Sequence, residues 1–205
     1  MLALAALVAV GSLAARADEL TPGETLRLRT PGHPIGGCLL AASFVSINSP
    51  DFRGTLLSSV WSNDPLNSGD GLTFVYKLAN GSFCHDLTLA QFGVTGFGNL
   101  LTEVSFFGCG VAPRSAARSG DGQWINFNFL NRKSEGTLDP GEISAWLVIR
   151  TDAHSWQEIS TVALNAVGVS AATFAPTLVP EPTTGLLGLA ATAVVLARKR
   201  KPNRG

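Results

Sequence analysis

Alternation of apolar and polar positions with a period of two recurs through the middle of the chain. In Trp124-Ile-Asn-Phe-Asn-Phe129, Ile125, Phe127 and Phe129 fall on one side and Asn126 and Asn128 on the other, the pattern of a half-buried antiparallel strand. Leu26 and Leu28 alternate with Thr25, Arg27 and Arg29, and Leu87, Leu89 and Gln91 share one parity against Thr88, Ala90 and Phe92. Short apolar or aromatic runs predict further strands from Cys38 to Ile47, Leu56 to Trp61, Leu72 to Lys77, Leu100 to Phe107, Ile143 to Thr151 and Ile159 to Val169. Turn clusters separate them at Asn63–Gly71, Ser119–Gly122 and Asp139–Glu142, where Gly, Asn and Asp supply left-handed backbone and side-chain caps. Roughly nine strands without helical periodicity predict an all-β domain over residues 18–172, an antiparallel β-sandwich of Ig-like or jelly-roll topology.

Composition supports this reading. The 205 residues are 45% hydrophobic and only 15% charged, which excludes a chain kept disordered by its charge. Twenty-two Gly and 11 Pro beside a single Met describe a turn-rich chain short of helix formers. Once both ends are set aside, about 160 residues remain, enough for one core.

Charge is segregated. Five of the 15 basic residues stand in the last eight positions, and between Asp18 and Pro182 nine Lys or Arg face 15 Asp or Glu, leaving that stretch at −6. Nucleic acid is therefore not an expected partner, because phosphate binding needs clustered basic residues.

Both ends read as targeting segments. Residues 1–17 are nearly all Leu, Ala or Val up to Ala15 and end in Ala15-Arg16-Ala17, a small-x-small site; they predict a helical secretory signal peptide cleaved before Asp18. No Lys or Arg precedes the apolar run, so the translation start is expected upstream. At the other end, an extended stalk is expected over 173–182, ending in Pro180-Glu181-Pro182. A short transmembrane helix is expected over 183–197, with the apolar stretch Gly185 to Ala197, and a basic cytoplasmic tail over 198–205 opens with Arg198, Lys199, Arg200 and Lys201, a membrane-stop cluster. The thirteen-residue run rises only about 20 Å as a helix against a hydrocarbon core of roughly 30 Å, which suits temporary retention.

This Pro-Glu-Pro, apolar and basic order over about the last 27 residues resembles the PEP-CTERM sorting signal of exported bacterial proteins. The resemblance implies an exosortase-type enzyme that recognises Pro180, Glu181 and Pro182, removes the apolar and basic parts, and releases the body to the cell surface or an extracellular matrix. The same tail is also known as an ice-binding protein C-terminal domain. The body lacks a regular Thr-x-Thr array, and ice binding does not follow.

Candidate chemistry is sparse. Cys38, Cys84 and Cys109 are an odd number for an oxidising compartment. Cys84 and Cys109 flank two successive strands and are the pair expected to bridge, tying a hairpin-like unit and leaving Cys38 as a buried thiol; the other two pairings stay open. His85 adjoins Cys84, but neighbours on a strand point to opposite faces, so a thiol nucleophile is not expected there. His33, His85 and His154 are scattered and no metal cluster or cofactor is expected; Asp64, Asn67 and Asp70 share a loop but lack the acidic spacing of a calcium loop. No nucleophile elbow is present, and Glu103, Glu142 and Glu158 are the carboxylates that a glycosidase-like cleft would have to bring together. Trp61, Trp124, Trp146 and Trp156 are expected in or beside the core. The expectation is a non-enzymatic structural or adhesive protein, anchored in the inner membrane before processing and exported afterwards. Its partners would be signal peptidase, an exosortase-type enzyme, the membrane and extracellular polysaccharide. A carbohydrate-binding module and a secreted hydrolase are the alternatives.

Overall fold

The computed structural model describes residues 17–49, 52–81, 88–130, 136–165 and 167–177. Twelve strands follow one another: β1 (Asp18–Glu19), β2 (Thr25–Arg27), β3 (Cys38–Ser49), β4 (Phe52–Ser62), β5 (Thr73–Asn80), β6 (Gln91–Thr95), β7 (Thr102–Phe107), β8 (Ser115–Arg118), β9 (Trp124–Asn128), β10 (Trp146–Thr151), β11 (Trp156–Leu164) and β12 (Val167–Pro176). They form two antiparallel six-stranded sheets, sheet A in the order β1-β7-β10-β5-β4-β3 and sheet B in the order β12-β11-β6-β9-β8-β2. No helix occurs among the described residues. The signal helix and the transmembrane helix expected from the sequence lie outside them, as do Ala15, Cys84, Pro180, Glu181, Pro182 and the basic cluster from Arg198 to Lys201.

The sheets pack face to face because alternate residues of each strand are apolar. Leu56 and Val60 of β4, Phe74, Tyr76 and Leu78 of β5, and Leu147 and Ile149 of β10 share one core with Phe92 and Val94 of β6 and Ile125 and Phe127 of β9. The alternation read for residues 124–129 is realised, with Ile125, Phe127 and Phe129 fully buried. Each such side chain contributes roughly 1.5–3 kcal/mol on leaving water. Tyr76 joins the layers: its ring lies 5.6 Å from that of Phe92, and its hydroxyl donates to the Phe174 carbonyl at 2.7 Å.

Several expectations are corrected. The run from Ile159 to Val169 is two strands, β11 and β12, folded about Asn165, whose φ of 49° is left-handed. The Asn165 amide stabilises that turn by accepting from the Ala90 and Gln91 backbone and donating to the Thr88 carbonyl. Thr173 to Pro176, expected to open a stalk, complete β12 and are buried against the core, so the sandwich extends past residue 172. β8 escapes a search for apolar runs because Ser115-Ala-Ala-Arg118 has none, yet it bridges β9 and β2. The strands between Cys84 and Cys109 do not form a hairpin-like unit, since β6 belongs to sheet B and β7 to sheet A, with Gly96 at a φ of 101° where the chain crosses.

Arg118 shows how buried charge is used here. Its guanidinium donates to the carbonyls of Gly122, Leu20, Phe97 and Leu100 and to the Thr102 hydroxyl, at 2.6–3.1 Å. One side chain thereby fixes the end of β1, the 97–100 turn and the 119–122 turn. Burial pulls its pKa down, and the Asp152 carboxylate draws it partly back.

Candidate functional site

The outer face of sheet A carries an open apolar groove of about 380 Å³. The register of the sheet builds it. Trp146 of β10 lies opposite Phe107 of β7, and their rings stack 6.1 Å apart at 12°. Val75 of β5 stands opposite Ser59 of β4, and Trp61 lies opposite Leu39 of β3. These residues point outward because Leu56, Ser58 and Val60, and likewise Phe74 and Tyr76, occupy the inward parity. The Trp61 indole donates to the Ser59 hydroxyl at 2.9 Å, so the one polar atom of that ring is satisfied within the groove wall. The Lys77 ammonium lies 4.7 Å from the centre of the Trp146 ring, a cation–π contact at the rim.

The remaining wall, Pro34 and Ile35, comes from the segment 31–37 that crosses the face of the sheet. Its backbone is anchored at Gly32, whose N–H donates to the Phe106 carbonyl at 2.6 Å, and at Gly36, whose N–H donates to Asp64 Oδ1 at 3.4 Å. Gly37 has a φ of 87° and sits so close to the Ser62 and Asn63 carbonyls that a Cβ would collide with them. Asp64 is buried and pairs with the buried Arg150 at 2.7 Å, while accepting from Thr73 and the Leu66 N–H. Arg150 donates further to the Ser105 hydroxyl at 2.9 Å. A buried ion pair thus holds the loop after β4, the crossing segment and strands β5, β7 and β10 in one arrangement beside the groove.

The Asn63–Gly71 loop is therefore committed to the fold. Asp64 faces Arg150, and the Asn67 amide donates to the Gly71 and Thr151 carbonyls at 2.9 Å each. Among the described residues no group of three or more His, Cys, Asp or Glu is arranged to hold a metal ion.

Three of the four tryptophans lie beside the core as expected, and one does not. Trp61, Trp124 and Trp146 are half-buried and Trp156 is exposed, packed edge-on to Phe174 at 5.0 Å. Trp61 and Trp146 share the groove; Trp124 and Trp156 belong to sheet B. Phe107, Leu39, Pro34 and Ile35 complete the groove and carry no functional signal in the sequence. The alternation Leu57, Ser59, Trp61 against Leu56, Ser58, Val60 is the signal that places Trp61 outward.

The carboxylates do not converge on one cleft. Glu103 of β7 accepts from the Ser68 hydroxyl, Glu142 caps its own turn through the Asp139 N–H, and Glu158 stands on β11 in the other sheet. His33 and His154 are both exposed on separate segments, and His85 lies outside the described residues. Cys38 is exposed at the start of β3, not buried, because it precedes the inward-facing part of that edge strand; Cys109 is a free, exposed thiol between Gly108 and Gly110. Ala17 is buried, and Asp18 opens β1 opposite Val104 of β7.

Among the described residues no helix is long and apolar enough to cross a membrane. Compared with known proteins, the chain matches no family model, no curated protein and no solved structure.

Proposed function

We propose that this chain is an exported, non-enzymatic binding protein of structural or adhesive type, working at the cell surface or in extracellular matrix. In this reading a helical signal peptide directs export and signal peptidase cuts before Asp18. The segment 183–197 anchors the protein briefly in the inner membrane as a helix, and an exosortase-type enzyme acts at Pro180, Glu181 and Pro182. The observation that carries the binding role is the open groove beneath Pro34 and Ile35, lined by Trp61, Phe107 and Trp146 with no titratable side chain among its described residues. Such a surface can hold a partner, and its one hydroxyl, Ser59, has no general base beside it among the lining residues. The test of the export route is intact mass of the protein from its native host, in separate cell-bound and released fractions. A released form beginning at Asp18 and ending near Pro182 is expected; a product keeping Arg198 to Gly205 in every fraction overturns the sorting reading.

A second reading, a carbohydrate-binding module, is favoured by one specific feature. Trp146, Phe107 and Trp61 present flat rings on one sheet face, and sugar rings stack on such surfaces. Retardation in native gels containing extracellular polysaccharide tests it.

A further inference from the structure

The two sheets have four edges, and three are shielded. β1 has only two residues, both acidic, and β2 has three, ending in Arg27. β12 leans on β3 and β4, and its last residues from Thr173 to Pro176 are buried. The fourth edge, β3, is different. Its twelve residues, Cys-Leu-Leu-Ala-Ala-Ser-Phe-Val-Ser-Ile-Asn-Ser, include no charge, no Pro and no Gly, and among the described residues its ladder pairs with β4 alone, β12 packing against it without strand pairing. Soluble proteins blunt long edges with charge, Pro or short length, because a free row of N–H and C=O groups templates another strand. The outward side chains here are apolar as well: Phe44 is 69% exposed, Leu39 52% and Leu40 48%.

The geometry points to β3 as the interface between two copies of this chain, paired antiparallel across a two-fold axis to join both A sheets into one twelve-stranded sheet. The bulge between Leu39 and Ala41 ends the regular edge on one side, and Asn48 and Ser49 face Val167–Ser170 of β12 across a cleft on the other. The free ladder is therefore Ala41 to Ile47, whose midpoint is Phe44. Pairing centred there sets the two Phe44 rings side by side on the outer face.

Two observations select a second copy as the occupant. The stretch from Asp18 to Pro182 carries −6, whereas β3 and the adjoining Leu57, Ser59 and Trp61 carry no charge, so this is a surface on which two copies meet without like charges facing one another. The apolar area left by Leu39, Leu40, Phe44 and their neighbours is on the order of 500 Å², and with the polar ladder it approaches the roughly 800 Å² per partner of a standard interface. A two-fold axis normal to the sheet leaves both aromatic grooves on one side of the dimer, so a polymeric ligand is engaged twice.

The test is sedimentation velocity of the full chain in non-ionic detergent from 1 to 100 µM, with Phe44→Lys and Ser46→Lys beside it. A dimer is expected for the unaltered chain and a monomer with unchanged circular dichroism for both variants. Hydrogen exchange of the unaltered chain is a readout that needs no substitution: amides of Ala41 to Ile47 should gain protection as concentration rises. A monomer at 100 µM, a dimer that survives both lysines, or exchange at β3 independent of concentration overturns the proposal.

Discussion

Arg150 places its Nε 2.7 Å from Oδ2 of Asp64, with both side chains buried on the outer side of sheet A. Asp64 also receives the Gly36 N–H, so the same carboxylate that neutralises Arg150 holds the segment carrying Pro34 and Ile35 over the groove. Removing one partner leaves the other charge buried and uncompensated. Asp64→Ala should therefore cost about 3–5 kcal/mol. A double variant, Asp64→Asn with Arg150→Met, should recover a large part of that loss. Urea unfolding measures both, and tryptophan emission should shift red in Asp64→Ala at low urea as the cover over Trp61 and Trp146 loosens.

Tyr76 yields a pH prediction. Its phenol is fully buried, and burial raises its pKa well above the usual value near 10. The folded state thus keeps a proton that the unfolded chain gives up. Stability is fully present below about pH 10 and falls as pH rises from there toward the higher folded value. Tyr76→Phe should remove this alkaline slope. At neutral pH it should cost about 1–2 kcal/mol, because the 2.7 Å hydrogen bond to the Phe174 carbonyl is lost while the ring packing stays. Thermal unfolding from pH 7 to 11 for both proteins reads the difference.

Class and strand positions were legible in the sequence wherever side-chain parity alone decides burial, as at Ile125, Phe127 and Phe129. Parity fails where a turn is made by one residue inside an apolar run. Asn165 splits what reads as one strand, and nothing short of its three amide hydrogen bonds to the Thr88–Gln91 stretch shows why. It fails again at β8, where small residues are drawn into a sheet by neighbours on both sides. The groove was only half legible. Trp61 and Trp146 stood out as aromatic, but their meeting depends on the β3-β4-β5-β10-β7 order, a long-range pairing that no local pattern encodes. Asp64 was visible as a loop acid; its role rests on Arg150, 86 positions away.

Arg118 offers five guanidinium hydrogens to four carbonyls and one hydroxyl, and lysine cannot reproduce that fork. Arg118→Lys keeps the charge but strips several buried carbonyls of their donor. It should destabilise by roughly 2–4 kcal/mol, since each orphaned buried group costs about 1–3 kcal/mol. Hydrogen exchange should locate the damage. Amides at Leu20, Phe97 and Gly122 should exchange faster, while those of β11 and β12 should be unchanged until global unfolding.

The groove itself gives the sharpest functional prediction, because two of the tryptophans line it and two do not. Trp61→Ala and Trp146→Ala each remove a ring from one face of sheet A, while Trp124→Ala and Trp156→Ala alter sheet B. If polysaccharide stacks in the groove, each of the first two should weaken binding about tenfold, the equivalent of roughly 1.4 kcal/mol per ring, and the second two should leave it unchanged. Lys77, poised over Trp146, adds a further discrimination. For an acidic polysaccharide, Lys77→Gln should lower affinity at low salt and lose its effect near 1 M, where the Debye length is about 3 Å. Affinity electrophoresis with neutral and uronic-acid polymers measures all five variants together. Equal retardation of all four tryptophan variants would place sugar binding elsewhere on the molecule, and binding of a fatty acid without any polysaccharide would make the groove a site for apolar ligands instead.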